Sequence, residues 1–316
     1  MDFKIFSERI GKVNNRIDEI LVGKPETLYG AARHLSSAGG KRIRPLLCLL
    51  SCESVGGNPD NAIDTAVSME LIHTFTLIHD DIMDNDELRR GIPSVHVKFG
   101  ESTAILAGDL LFSKAFELCG ERAVKILARA SSEICEGQEM DMSFEKINSL
   151  SENEYLEMII KKTAKLFEAS TWSGAVVGNG SNEEIENLAN FGLNMGIAFQ
   201  IQDDILDLTA EEKKLGKPVG SDVIEGKKTL IAIKAINNTD GTDRDKLIEI
   251  LMKKNNTIEE IEFVLNLFRD SGALEQSRKT ADEFIAKAKN SLKNLVESDA
   301  KKHLLDITDF VIDRNK

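Results

Sequence analysis

The chain has 316 residues, of which 41% are hydrophobic and 29% are charged. This length and composition are those of an ordinary globular protein with enough apolar residues for a core. The formal net charge of −13 argues against a nucleic-acid or anionic-membrane partner, because the field of the whole protein repels polyanions. An anionic substrate must therefore be captured by local cationic side chains and a bound metal.

The N-terminal stretch MDFKIFSERI is amphipathic and lacks the continuous apolar core of a signal peptide. No uninterrupted apolar run approaches ~20 residues, so we expect no transmembrane segment. The cysteines lack CxxC spacing and fall in or beside apolar helical runs. This pattern predicts reduced, buried thiols in a cytoplasmic protein, at Cys48, Cys52, Cys119 and Cys135.

Nearly every segment of the chain is predicted to be helical, because there are only five prolines and few alternating apolar runs. Turn signals separate the helices, and there is neither βα alternation nor a Pro/Ser-rich linker. We predict one all-α domain over 1–316. The predicted helices cover 3–22, 25–36, 42–55, 61–84, 101–117, 119–136, 151–178, 182–208, 226–237, 242–253, 257–270, 273–295 and 298–314.

The first chemically distinctive stretch is AGGKRIRP at 38–45. Its two glycines allow close approach to the backbone, and Lys41, Arg42 and Arg44 precede a predicted helix. Free N–H groups and the macrodipole of a helix N-terminus favour anions there. The stretch fits an anion pocket, although basic residues at such junctions are also common without any ligand.

His73 lies seven residues before Asp80 in the helix predicted over 61–84, and therefore on the same helical face. It fits either a substrate contact or a hydrogen-bonded core histidine. Glu70 and His73 also form a Glu-x-x-His pair, the motif of di-iron carboxylate bundle proteins. A di-iron site needs a second such pair, and no other histidine of the chain has Glu three residues before it.

That helix ends in an acidic cluster, LIHDDIMDNDELRRG. Asp80 and Asp84 are one turn apart on one face, with Asp81 on the flank. Clustered carboxylates repel one another unless a cation lies between them, and Mg²⁺ takes one or two carboxylates beside water and phosphate oxygens. Arg89 and Arg90 carry forked donors suited to phosphate. The alternative is a solvated acidic helix end.

The same pattern recurs in QIQDDILD at 200–207, about 120 residues further along the chain. Asp203, Asp204 and Asp207 repeat the i, i+1, i+4 spacing after another apolar helical run. The repetition favours two helices that direct carboxylates into one shared cavity, with a polyphosphate substrate.

Further polar residues accompany the second motif. Lys162 and Thr163 interrupt an apolar helix, and Gln200 precedes Asp203 by one turn. The glycine-punctuated stretch LGKPVGSDVIEGKKTL at 215–230 contains Lys217 and Lys227. Beside a metal site, such a loop is typical of a lid over a diphosphate. Taken singly, each of these residues is more often structural.

Taken together, these motifs resemble the trans-isoprenyl diphosphate synthases of the polyprenyl synthetase family, and most closely the short-chain geranylgeranyl/farnesyl diphosphate synthases. The resemblance covers nearly the whole chain. It rests on GGKRIRP, LIHDDIMDNDELRRG, GDLLF at 108–112, EGQEMDM at 136–142, KTAKLF, GIAFQIQDDILD and GKPVGSDVIEGKKTL.

The resemblance implies a single large bundle of antiparallel helices around a central cavity, usually in a homodimer. It implies Mg²⁺, with three ions per active site, and a reaction that joins isopentenyl diphosphate to allylic diphosphates (dimethylallyl, geranyl and farnesyl). The metal-binding residues would be Asp80, Asp81, Asp84, Asp203, Asp204 and Asp207. The allylic diphosphate would contact Arg89, Lys162, Thr163, Gln200, Lys217 and Lys227, and isopentenyl diphosphate would contact Lys41, Arg44, His73 and Arg90.

Product length is expected to depend on residues just before Asp80. With ~1.5 Å of rise per residue, Phe75 lies about 7.5 Å and Ile72 about 12 Å below the first aspartate. Phe75 fits a floor of the cavity, while the small Thr76 leaves it partly open. We therefore favour geranylgeranyl diphosphate (C20), with farnesyl diphosphate (C15) or a mixture as the alternative. The alternative is that Phe75 faces a neighbouring helix and only packs the core.

One feature departs from the family pattern, and another distinguishes subgroups of the family. Phe310 stands in the C-terminal tail where many members carry tyrosine. Only two residues separate Asp81 from Asp84, without the insertion of bacterial-type farnesyl synthases. Rival classes are a class I terpene cyclase, which has no second diphosphate for Lys41 and Arg44, and a non-catalytic subunit, which would usually have lost aspartates.

Overall fold

A computed structural model of the chain describes residues 3–209, 221–253 and 256–312. Within these ranges the chain is largely helical, and its strands form one two-stranded hairpin. The all-α fold class predicted from the sequence is confirmed. No helix in the described part of the chain is long and apolar enough to cross a membrane.

Packing divides the chain into two compact units. The prediction of a single domain over 1–316 covers both units and stays a prediction. Unit 1 comprises Met1–Ser131, Leu166–Gly192 and Leu292–Asp306, and unit 2 comprises Ser132–Lys165, Leu193–Ser291 and Ile307–Lys316.

The first helices and the hairpin belong to unit 1. They are α1 (Ser7–Ile20), α2 (Glu26–Ser37), α3 (Ile43–Ser54), α4 (Ile63–Met83), β1 (Leu88–Arg89), β2 (Ile92–Pro93), α5 (Val95–Phe99) and α6 (Glu101–Leu118), with 3₁₀ turns at Phe3–Phe6 and Pro59–Ala62. The later helices are α7 (Val124–Phe144), α8 (Glu152–Ile159), α9 (Lys165–Val177), α10 (Asn182–Thr209), α11 (Ser221–Glu225), α12 (Leu230–Asn238), α13 (Gly241–Met252), α14 (Ile258–Asp270), α15 (Ala273–Ser291) and α16 (Asp299–Ile312).

Helix α4 is the central element of unit 1 and packs against α1, α3, α5 and α6. Met69 and Ile72 are fully buried, and a helix that is apolar on most sides must be enclosed by its neighbours. The facing surface of α6 carries small residues such as Ala107 and Gly108, which let the two helices approach closely. A Cβ at Gly108 would collide with the His79 ring of α4. The acidic end of α4 is thus held on a rigid support.

The core of unit 2 forms around α12, which packs against α13, α14 and α15. Ile231, Leu247, Val264 and Phe268 are at most 2% exposed. Fully burying a side chain of this size contributes roughly 1.5–3 kcal/mol, so this cluster is a major source of stability for unit 2. Thr229 caps the N-terminus of α12 by accepting a hydrogen bond from the Ala232 N–H.

The structure corrects several details of the sequence-based description. Helix α7 continues to Phe144, eight residues beyond the predicted end at 136, because Gly137 lies in the helix rather than after it. Cys135 on the same helix is exposed, whereas the other three cysteines are buried as predicted. The hairpin and the short helices α5 and α11 were not predicted, because their few residues carry no periodic pattern.

Candidate active site

The three aspartates at the end of α4 differ in exposure. Asp80 is half-buried, Asp84 is exposed at the C-cap, and Asp81 is fully buried. The Asp84 N–H donates to the Asp80 carbonyl oxygen over 2.8 Å, so the helix continues through the motif and keeps these two residues one turn apart. The predicted face that could hold a metal therefore consists of Asp80 and Asp84.

Arg89 binds the buried carboxylate of Asp81. Its Nε donates to Asp81 Oδ1 over 2.7 Å, and its Nη2 lies 2.9 Å from Asp86 Oδ2. Burial raises the pKa of Asp81, against the opposing effect of the Arg89 charge. For Arg89 itself, burial would lower the pKa, but the Asp81 and Asp86 carboxylates outweigh it and raise the pKa. The guanidinium is thus fixed in its charged form beside the motif.

The hairpin after α4 determines where the two arginines point. Arg89 pairs with Ile92, and the two residues between them, Arg90 and Gly91, have φ values of 55° and 75°. Positive φ at both central positions is the type I′ turn that matches the twist of a hairpin. An arginine in a left-handed conformation is uncommon, so tertiary contacts must hold Arg90 there.

Those contacts run to the basic loop between α2 and α3. Arg90 Nη1 donates to the Gly39 carbonyl oxygen and, over 3.3 Å, to the Leu35 carbonyl oxygen. Gly40 has φ 142°, a conformation that residues with a side chain rarely adopt, and a Cβ there would also lie 3.0 Å from Arg90 Nη1. The structure therefore brings the hairpin and the loop together within unit 1.

Arg42 anchors this loop through its buried side chain, and its backbone is in a left-handed conformation with φ 51°. Its guanidinium donates to Glu70 Oε1 over 2.8 Å, to Asn14 Oδ1 over 2.9 Å and to the Ser36 carbonyl oxygen over 2.6 Å. The Arg42 and Glu70 side chains are each only 3% exposed. The residues on either side of Arg42 along the loop are thereby held in place, with Lys41 exposed to solvent.

His73 lies in the field of four arginines. Burial lowers its pKa well below the usual value, and the charges of Arg44, Arg90, Arg42 and Arg89 lower it further. His73 is therefore neutral at pH 7. The same arginines are concentrated near His73 in a chain whose net charge is −13, and an anion site in this protein requires such local cations. Arg44 is also held by a cation–π contact, 4.5 Å from the centre of the Phe167 ring.

An aromatic row lies beside α4. The Phe75 ring contacts Phe112 of α6 edge-on at 5.2 Å between centres, and Phe112 contacts Phe116 at 4.8 Å. Phe75 is half-buried and Ile72 is fully buried. Thr76 Oγ1 donates back to the His73 carbonyl oxygen. Phe112 is a residue that the sequence reading included only within the GDLLF motif and gave no role, because helical spacing on α4 does not show which residue of α6 lies opposite.

In unit 2, Lys162 and Thr163 lie on a single turn of π-helix, Ile160–Ala164, which we call the π-turn. The Lys165 N–H closes it on the Ile160 carbonyl oxygen. Such turns are rare and often occur at functional sites. The Lys162 ammonium forms an ion pair with Asp141 of α7, a residue that the sequence reading included only within the EGQEMDM motif.

A continuous chain of hydrogen bonds links the π-turn to the second aspartate motif. Thr163 Oγ1 donates to Gln200 Oε1 over 2.8 Å, and Gln200 Nε2 donates to Asp204 Oδ1 over 2.9 Å. The Tyr155 hydroxyl donates to Asp204 Oδ2 over 2.6 Å. Burial raises the pKa of Asp204 to about 7, although these donors favour the carboxylate. Tyr155 gave no signal in the sequence beyond being apolar enough for a core.

The remaining carboxylates of this motif also differ in exposure. Asp203 is exposed, whereas Asp207 is buried and accepts a hydrogen bond from the Asp222 N–H over 3.1 Å. Burial raises the pKa of Asp222, and Asp204 and Asp207 add to the effect. Lys227 pairs with Glu225 at 2.5 Å and lies 3.8 Å from Asp222. Burial alone would lower the pKa of Lys227, but these carboxylates raise it, so the ammonium stays charged.

Both motifs therefore follow one pattern. Asp80 is half-buried, and Asp84 and Asp203 are exposed, whereas Asp81, Asp204 and Asp207 are buried. The assignment of all six as metal ligands stays a prediction. No group of three or more His, Cys, Asp or Glu residues within 3–209, 221–253 and 256–312 is arranged to hold a metal unaided. Mg²⁺ fits this donor set, because it takes one or two carboxylates and leaves the rest to water and phosphate. Lys217 lies outside the described residues.

Comparison with known proteins identifies the family. A polyprenyl synthetase family model matches residues 25–268. The chain belongs to the polyprenyl synthetase family. It is 49% identical to a short chain isoprenyl diphosphate synthase of Methanothermobacter thermautotrophicus, over 92% of this chain and 91% of that one. It is 44% identical to a geranylgeranyl diphosphate synthase of Methanosarcina mazei, over 97% and 96% of the two chains.

A solved structure agrees with both matches. The geranylgeranyl pyrophosphate synthetase of Pyrococcus horikoshii Ot3 superimposes with a TM-score of 0.94 at 44% identity, covering 99% of this chain and 98% of that one. The protein is thus a prenyltransferase, and the predicted resemblance is confirmed. The di-iron alternative is set aside, and its Glu70 is bound to Arg42 instead.

The Arg42–Glu70 pair supplies a stability test of the loop. Glu70→Gln should lower the free energy of unfolding by roughly 2–4 kcal/mol, because it leaves the buried guanidinium without a counter-charge. Urea denaturation followed by helical circular dichroism measures the change. Glu117→Gln is the control, since that carboxylate is 66% exposed in its pair with Lys114 and should contribute only about 0.5 kcal/mol. Equal losses in the two variants would contradict the anchoring role.

Proposed function

We propose that the protein is a geranylgeranyl diphosphate synthase. It joins isopentenyl diphosphate head-to-tail to dimethylallyl, geranyl and farnesyl diphosphates with trans double bonds, and releases diphosphate at each step. The observation that carries the proposal is that each aspartate motif presents accessible carboxylates beside fixed cations, in a chain 44% identical to a geranylgeranyl diphosphate synthase. Farnesyl diphosphate is the alternative final product.

The proposed metal ligands are the accessible carboxylates of Asp80, Asp84 and Asp203. Enzymes of this family use Mg²⁺. Bound on the allylic diphosphate, Mg²⁺ would act as a Lewis acid that stabilises the leaving group. Three ions would give each active site enough positive charge for a diphosphate. The buried Asp81, Asp204 and Asp207 would hold the surrounding cations and amides, and serve as ligands only after a change of partner.

Two sets of cationic residues would bind the two substrates. Arg89, Lys162 and Lys227 are each fixed by an ion pair with a carboxylate, which suits them to the allylic diphosphate. Thr163 and Gln200 supply hydroxyl and amide groups on the same network, and Lys217 completes the set from the proposed lid. Isopentenyl diphosphate would bind beside His73, at Arg44 and Arg90, whose charges act on that histidine, and at Lys41 of the basic loop.

The chemistry requires no protein nucleophile. Fixed cations stabilise the negative charge that develops on the diphosphate as the allylic C–O bond breaks. The double bond of isopentenyl diphosphate then attacks the allylic carbon, and loss of a proton from the new adduct forms the product double bond. The departing diphosphate accepts that proton. Holding both substrates close and in line supplies much of the rate enhancement, and excluding water protects the cation.

Product length would be set beside α4. Phe75, with Phe112 behind it, would form the floor that stops the growing chain, while Thr76 leaves space and Ile72 supports the wall. A floor of rings in edge contact is firmer than a single phenyl group, because neither ring can turn away without losing the other. This favours a defined C20 product.

The homodimer is a further part of the proposal. Ile105 and Leu106 are adjacent on α6 and are 41% and 56% exposed, and Val97 of α5 is 51% exposed. Exposed apolar side chains in the same region are typical of an interface.

A cytoplasmic location also stays a prediction.

The metal ligands can be tested by charge removal. Asp80→Asn and Asp203→Asn should each lower kcat by about a hundredfold or more, because each removes an anionic ligand without changing the size of the side chain. Product formation and helical circular dichroism would be measured on the same samples. Asp109→Asn, at an exposed position on α6, is the control. Near-normal turnover by a folded Asp80→Asn or Asp203→Asn protein would refute the two-motif metal site.

The two substrate sites can be separated by kinetics. Lys41→Ala and Arg44→Ala should chiefly raise KM for isopentenyl diphosphate, and Lys227→Ala should chiefly raise KM for the allylic substrate. Each loses a charge-assisted contact of roughly 1.5–3 kcal/mol, or about 10- to 100-fold. Initial rates with one substrate varied at a time measure this. Parallel changes in both KM values for all three variants would argue against separate sites.

The floor can be tested by product analysis. Phe75→Ala and Phe112→Ala should each shift the products toward chains longer than C20, since each opens space where the last isoprene unit stops. Chromatographic sizing of the products measures the shift. Phe263→Ala removes another half-buried ring, from α14, and should keep the wild-type products. An unchanged distribution from active Phe75→Ala enzyme would place the stop elsewhere.

The dimer can be tested by light scattering. The wild-type protein should have twice the 35.0 kDa mass of the chain, and Leu106→Glu should lower it toward that of one chain, because a buried charge opposes association. Val296→Glu alters another exposed apolar residue, 72% exposed, and should leave the mass unchanged. A wild-type mass of 35.0 kDa at micromolar concentration would refute the homodimer.

A further inference from the structure

A glycine on α7 meets the π-turn backbone to backbone. A Cβ on Gly137 would lie 2.7 Å from Lys162 Cα and 2.8 Å from the Lys161 carbonyl carbon, and closer still to the Lys162 backbone nitrogen. Real Cβ atoms are essentially never found so near to backbone atoms, and backbone, unlike a flexible side chain, cannot rotate away. Any other residue at 137 must therefore displace the π-turn or separate it from α7.

Two further ion pairs join the π-turn to α7, one on either side of Gly137 along the helix. Lys161 Nζ lies 2.8 Å from Glu136 Oε2, and the Lys162 ammonium pairs with Asp141, one turn beyond Gly137. The π-turn is thus in contact with three residues of α7, namely Glu136, Gly137 and Asp141. Since π-helical turns are rare and occur mostly as single turns inside α-helices, we expect the position of this one to depend on these contacts with α7.

The π-turn in turn positions polar atoms beyond it. Its Thr163 hydroxyl donates to Gln200, whose amide donates to the buried carboxylate of Asp204. A shift of the turn therefore moves the Lys162 ammonium and the Thr163 hydroxyl together, and breaks the chain of hydrogen bonds at its first link. Reacting groups tolerate little displacement, since an error of 1 Å can reduce a rate about a hundredfold.

We propose that Gly137 is a positioning residue of the enzyme. It sets the distance between α7 and the π-turn, and thereby the places of Lys162 Nζ and Thr163 Oγ1 beside the allylic diphosphate. The functional part rests on the roles proposed above for Lys162 and Thr163, whereas the structural part rests on the contact alone. The presence of glycine within α7 has its explanation here, since glycine otherwise weakens a helix interior by roughly 1 kcal/mol.

The test begins with Gly137→Ala and a matched control, Gly178→Ala. A Cβ on Gly178 would lie 2.6 Å from Val55 Cγ2 and 2.7 Å from the Cys52 carbonyl oxygen, so the control is overpacked to a similar degree within unit 1. Hydrogen exchange should become faster in peptides that cover 158–166 of Gly137→Ala and stay unchanged in those that cover 230–238. In Gly178→Ala, hydrogen exchange should stay unchanged in both sets of peptides. Unchanged exchange at 158–166 would overturn the proposal.

Activity supplies the second measurement. Gly137→Ala should lower kcat at least tenfold with KM for isopentenyl diphosphate within about threefold, while Gly178→Ala keeps kcat within about twofold. Wild-type kcat in Gly137→Ala would overturn the positioning role. A Gly137→Ala protein that loses its helical circular dichroism would overturn it as well, because the contact would then serve folding.

A double-mutant cycle shows whether Gly137 acts through Lys162. In a Lys162→Ala background, Gly137→Ala should cost less in kcat than it costs alone, because the group that it positions is already gone. If the fold losses in kcat of the two single variants simply multiply in the double variant, the proposal is overturned. Failure of the proposed function would look different: Lys162→Ala itself would then keep wild-type kcat, while hydrogen exchange would still report on the displaced turn.

Discussion

Ion pairs that hold three of the cations near the motifs, Arg89, Lys162 and Lys227, are the interaction on which the rest of the candidate site depends. Arg89 is held by Asp81, Lys162 by Asp141 and Lys227 by Glu225 and Asp222. For Arg89 and Lys227, the carboxylates raise the pKa against the effect of burial. Each of the three pairs also limits the positions that its cation can occupy. A protein of net charge −13 can bind a polyanion only if its cations are concentrated and oriented in this way.

Within each aspartate motif, the buried and the less buried residues have different roles. Asp81 and Asp204 are buried and accept hydrogen bonds from Arg89 and Tyr155. Asp80 is half-buried and Asp203 is exposed. Adjacent aspartates on one helical turn can therefore have two different roles. One carboxylate faces inward to arrange donors and cations, and another faces outward, where we propose that it meets Mg²⁺ and diphosphate.

Unusual backbone conformations accompany these charges. Arg42 and Arg90 both have positive φ, and Lys162 and Thr163 lie on the π-turn. Such conformations cost free energy unless the surroundings impose them, and they cluster where function needs one geometry. Here the support is visible as the buried Arg42–Glu70 pair, the type I′ turn of the hairpin and the close approach of Gly137. We infer that rigidity at these points is what the site requires.

Much of this protein follows from its sequence alone. Helical periodicity and the scarcity of proline indicate an all-α fold, and the i, i+1, i+4 spacing identifies both aspartate faces, because these signals depend only on neighbours along one helix. Tertiary structure alone decided which aspartates are buried, that Phe112 lies against Phe75, that Asp141 and Tyr155 join the second motif, and that Gly137 continues α7. These pairings join residues 21 to 49 positions apart on different helices, such as Lys162 with Asp141 and Tyr155 with Asp204. The period of a helix fixes which residues share a face, but only packing decides what that face meets.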